Sequence, residues 1–81
     1  MLTEDQIARK YGQCIKSVEM IHHLVNNVDN IVHLVGQEQV DFAVARNIEY
    51  LEGMRQADFW TDEDMAPIDA AIAAGNAALT E

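Results

Sequence analysis

The stretch IARKYGQCIKSVEMIHHLVNNVDNIVHLV, residues 7–35, decides the fold. Its apolar residues Ile7, Tyr11, Cys14, Val18, Ile21, Val25, Val28, Val32 and Val35 alternate spacings of four and three without a slip. Successive residues turn by about 100° around a helix, so this spacing gathers them into one stripe, the pattern of a helix packed along a seam. With Ile7 at heptad position d, the a positions are Tyr11, Val18, Val25 and Val32. Ile15 at e and Leu24 and Ile31 at g widen the stripe, which predicts a bundle in which this helix meets at least two neighbours.

Thr3 and Gln6 have capping-box spacing, Glu4 and Asp5 suit the positive end of the helix dipole, and Gly36 is a natural stop. Because the seam holds register throughout, one helix of about 30 residues and about 45 Å is expected. A break at Asn26 and Asn27 is the alternative, since Asn26, Asn27, Asp29 and Asn30 are poor helix formers.

Working outward, Val40, Val44, Ile48, Leu51 and Met54 predict a second helix from about Glu38 to Gln56. It follows so short a connection that an antiparallel hairpin results. Phe42 projects from its opposite side, near Arg46 and Glu49, and is expected to be covered by the third helix or another subunit. Beyond Asp58-Phe59-Trp60, Thr61 and Asp64 mark another helix start. Pro67 belongs in a first turn, so that helix begins between Thr61 and Ala66. It carries Ile68, Ile72 and Leu79 among alanines, with Gly75 permitting close approach. The expectation is all-α: a long antiparallel helical hairpin plus a short third helix, as a single domain over 1–81.

Charge narrows the partners. Residues 1–37 carry four acids against Arg9, Lys10 and Lys16, whereas residues 38–81 carry ten against Arg46 and Arg55, within a net −9. No clustered cations are present to displace counterions from phosphates or to meet anionic lipid, so neither direct nucleic-acid nor membrane binding is expected. No apolar run approaches the ~20 residues of a membrane span. Met1-Leu2-Thr3-Glu4-Asp5 lacks the basic and apolar character of a secretory leader, and Cys14 has no partner for a disulfide. The expected setting is cytoplasmic or within a viral assembly, not secreted.

Sharper chemistry is weak in this register. Glu19 and His22 have the Glu-x-x-His spacing of di-iron bundles, with Glu49 as a conceivable third ligand, but Glu19 falls at b, on the solvent side of the seam. His23 and His33 are also outward, and Cys14 has no neighbouring base. The run Asp58, Asp62, Glu63, Asp64 and Asp69 lacks the glycine and terminal glutamate of a calcium loop. No catalytic residue, cofactor or metal is expected.

The segment FWTDEDMAPIDAAIAAG, residues 59–75, resembles stretches of short uncharacterised acidic helical proteins encoded by bacteriophages. The resemblance covers about a fifth of the chain and transfers no site residue. It implies a viral setting, in which such proteins serve as virion components or inhibitors of host factors.

The leading expectation is a non-catalytic protein–protein interaction or assembly protein that binds a protein partner and forms a homo-oligomer. Its seam would be Val18, Ile21, Val25, Val28, Val32 and Val35, and its further docking residues Phe42, Phe59, Trp60, Asp62, Glu63 and Asp64. The alternatives are an acidic inhibitor imitating nucleic acid, and a Glu/His metal-binding bundle. Trp60 and Phe59 have a second possible role, folding back to close the open end of the hairpin.

Overall fold

A computed structural model describes residues 2–79, so Met1, Thr80 and Glu81, the ends of the expected 1–81 domain, lie outside the described residues. Four helices follow in order: α1 Glu4–Asn26, α2 Val28–Val35, α3 Gln37–Met54 and α4 Asp62–Leu79. The all-helical expectation holds.

At the start of α1, the Thr3 hydroxyl accepts from the Gln6 amide at 3.2 Å, and the Gln6 side chain accepts from the Thr3 amide at 2.9 Å. Two otherwise unpaired amides are thereby satisfied. The single long helix is not what forms, because the chain breaks at Asn27 (φ −116°, ψ 25°). The Asn27 side-chain amide donates to the His23 carbonyl at 3.0 Å, the acceptor its own backbone N–H also uses. This is the local competition that makes asparagine a poor interior residue. Helical bonding resumes at once, with the Ile31 amide on the Asn27 carbonyl at 3.1 Å, so the break is a kink between two nearly continuous helices.

Gly36 alone joins α2 to α3. Its φ of 90° is a backbone region that side chains with a Cβ rarely adopt. Gln13 on α1 meets Tyr50 on α3, while Val25 shares a cleft with Val40, so α3 runs antiparallel to α1. Trp60 and Asp64 lie beside Ile7 and Tyr11, and Leu79 lies at the Val25 end, so α4 runs parallel to α1.

The result is an up-down-up bundle of α1, α3 and α4, which corrects the expected short third helix. At 18 residues α4 is as long as α3. It packs closely because small residues face the other helices, with Ala71 and Gly75 buried beside Ile68. Its cap is a second reciprocal pair: the Thr61 amide donates to the Asp64 carboxylate at 3.2 Å, and the Asp64 amide to the Thr61 hydroxyl at 3.1 Å. Pro67 consequently sits in the second turn rather than the first, where it cannot donate to the Glu63 carbonyl.

Cys14, Val18, Ile21 and Leu24 form the core with Val40, Val44, Ile48 and Leu51, closed by Ile68, Ala71 and Trp60. None of the core comes from α2. It packs on α1 and α3, and among the described residues its backbone comes no nearer than 8 Å to that of α4, Cα to Cα. The fold is therefore drawn out to 44 × 20 × 16 Å, with α2 projecting at one end. No helix among the described residues is long and apolar enough to cross a membrane.

Candidate docking surface

The kink divides the expected seam. Val18 and Ile21 are buried inside this chain, a correction to their reading as docking residues, because α3 and α4 together cover the whole apolar stripe of α1 there. Val25, Val28 and Val32 are half-buried, and Val35 is 52% exposed. Leu34, 80% exposed, is the most uncovered large apolar side chain among the described residues. The heptad pattern had passed over Leu34, which sits at c; only the local grouping of Ile31, Val32, Leu34 and Val35 on one short helix hints at it.

The aromatic pair resolves toward closure. Trp60 is 8% exposed, its indole N–H donates to the Met54 carbonyl at 2.8 Å, and its ring lies 4.5 Å from Phe59 and 6.0 Å from Tyr11. It caps the end of the core and is unavailable as a docking anchor; Phe59 is half-buried against it. Phe42 is 61% exposed, so neither α1 nor α4 covers it, and the Arg46 guanidinium lies 5.7 Å from its ring centroid.

The acidic run is partly committed to structure. Asp64 serves the α4 cap, and Asp69 takes a two-pronged ion pair from Arg55 at 2.7 and 3.2 Å. Asp62 and Glu63 remain exposed in the first turn of α4.

Glu19 and Glu49 are exposed, and among the described residues no three His, Cys, Asp or Glu side chains gather as metal ligands. The imidazole of His23 lies 3.3 Å from the Asn27 amide. Burial pushes the Cys14 thiol above its ordinary value, with Lys10 pulling the other way, so the sulfur is a protonated core atom at neutral pH.

On the α4 side of α2, beside the last described turn of α4, a cleft of ≈ 500 Å³ opens among α1, α2, α3 and α4. Val25, Val28, Val40 and Leu79 line it, with Asp29 and Asp41 as its ionisable residues.

No family model matches the chain, and no curated protein or solved structure matches it.

Proposed function

We propose that this protein is a non-catalytic assembly or adaptor protein that self-associates through the apolar face of α2, in keeping with a phage virion or accessory component. The observation that carries this reading is the exposure of Leu34 and Val35 on a helix none of whose residues is fully buried, although Val28, Ile31 and Val32 pack against the core. Covering one such side chain fully is worth about 1.5–3 kcal/mol, a strong incentive to association when several are adjacent.

Surface area points the same way. A compact monomer of 9.1 kDa exposes about 4,900 Å². This chain exposes 5693 Å². The surplus of about 800 Å² goes with the elongated shape and is comparable in size to one partner's share of a standard protein interface. The radius of gyration, 13.6 Å, also exceeds the ~11.7 Å of a compact chain of this length.

Sedimentation velocity over a concentration series tests the reading. A species heavier than the 9.1 kDa monomer, growing with concentration, is expected; a strict monomer at high micromolar concentration would overturn it. The nucleic-acid-imitating inhibitor is the second reading, and it rests on exposed Asp62 and Glu63. It is weaker because a duplex-like track needs charge spaced along a face, and Asp64 and Asp69 are already engaged.

A further inference from the structure

We propose that the cleft between α2, α3 and the last described turn of α4 docks an amphipathic helix of another protein, one flanked by Lys or Arg. This rests on the reading of the chain as a protein-binding module and gives the chemistry of a second partner.

The cleft has aliphatic walls and a polar, acidic lip formed by Asp29, Gln37 and Asp41. Val25 and Val28 form one wall, Val40 the other, and Leu79 lies at the end. Its ≈ 500 Å³ falls within the ~300–1,000 Å³ of sites that enclose a ligand, and a trough walled by helices suits helix-in-groove recognition. Asp29 and Asp41 stand on opposing helices, and no Lys or Arg lines the space among the described residues. Gln37 donates to the Asp41 carboxylate at 2.8 Å, which holds that charge on the first turns of α3.

Charge selects the occupant. A second copy's exposed Phe42 arrives with Asp41 adjacent in the chain and Glu38 one helical turn away, setting carboxylates against the carboxylates of the lip. A helix with apolar residues at i, i+3 or i+4 and i+7, and cations beside them, fills the trough and meets both aspartates.

Fluorescence anisotropy with a labelled leucine-faced peptide flanked by lysines tests this, against a twin in which glutamates replace the lysines. The lysine peptide is expected to bind, to weaken with added salt, and to exceed its twin by at least about tenfold. Asp29→Asn with Asp41→Asn should lower its affinity by about tenfold. Ala78→Phe, which fills the cleft without changing charge, should abolish binding, with circular dichroism verifying the fold of each variant. Equal binding of the two peptides, no binding, or undiminished binding to a folded Ala78→Phe variant would overturn the proposal. The last result would mark general adhesion to an acidic surface. Sedimentation of the same samples separates the two readings: if the peptide fails while the chain still self-associates, the cleft proposal alone is lost. If the peptide binds a strict monomer, the self-assembly reading is lost instead.

Discussion

Gly75 on α4 faces Ile48 on α3 so closely that a Cβ at residue 75 would lie 2.7 Å from Ile48 Cδ1 and 3.0 Å from its Cγ1. The absence of a side chain at this one position sets how near the third helix of the bundle can come. Val44 Cγ1, at 3.2 Å from the same point, narrows the space further.

Gly75→Ala therefore sets two effects against each other. Helix propensity gains about 1 kcal/mol, while overpacking costs about 1–3 kcal/mol. A net loss of up to about 2 kcal/mol is expected in chemical denaturation, and Gly75→Leu should lose more. Ile48→Val removes the nearest atom, so in that background Gly75→Ala should be better tolerated. Additive losses in the double mutant would show that the contact is not limiting.

Trp60 should behave as a core residue. Trp60→Ala is expected to cost about 3–5 kcal/mol, a large share of the ~5–15 kcal/mol typical of a domain. Trp60→Phe should cost far less, because the Met54 carbonyl it abandons also accepts from the Ala57 amide at 3.2 Å. As the chain's single tryptophan, it gives a direct readout: blue-shifted emission in the native state, moving red on unfolding.

Stability should decline at alkaline pH through Cys14. Burial raises its folded pKa above 9.0, so above that pH the unfolded chain loses a proton that the folded chain keeps. Unfolding is then favoured increasingly as pH rises from 9.0 toward the folded value. Tyr50, raised above 10.0 by desolvation and then by Cys14, adds the same sign at higher pH. The melting temperature should fall through this range, and Cys14→Ala should flatten the early part of the fall. The native thiol should also resist a thiol reagent that labels the unfolded chain rapidly.

Much of the fold was legible because it is locally encoded. Both capping boxes follow from Thr3 with Gln6 and Thr61 with Asp64, and the stop at Gly36 follows from its residue type. The core faces of α1 and α3 follow from apolar spacing. The kink at Asn27 was not decided by that spacing, since the stripe keeps its period across it; a side-chain bond to the His23 carbonyl decided it. The length of α4 was underrated because its buried face uses Ala71 and Gly75, small residues that carry little hydrophobic signal. For the docking surface, periodicity shows which residues share a face but not where the covering helices end. Val18 and Val35 therefore look alike in sequence, although one is buried and the other bare.

Leu34→Asp combined with Val35→Asp should abolish self-association while leaving helicity intact, because neither residue belongs to the core. Phe42→Ala should weaken association without reducing helicity, given its exposure on the outer side of α3. Light scattering and circular dichroism on the same samples check both. Equal loss of mass and helicity would assign these residues to folding instead.

Hydrogen–deuterium exchange measured as a function of protein concentration is the most direct test that α2 is the assembly surface. Amides of Val28–Val35 should become more protected from low to high micromolar concentration, while those of the α4 core turn around Ala71 stay unchanged. Exchange in α2 that is independent of concentration, in a sample shown to associate, would place the interface elsewhere and contradict the account.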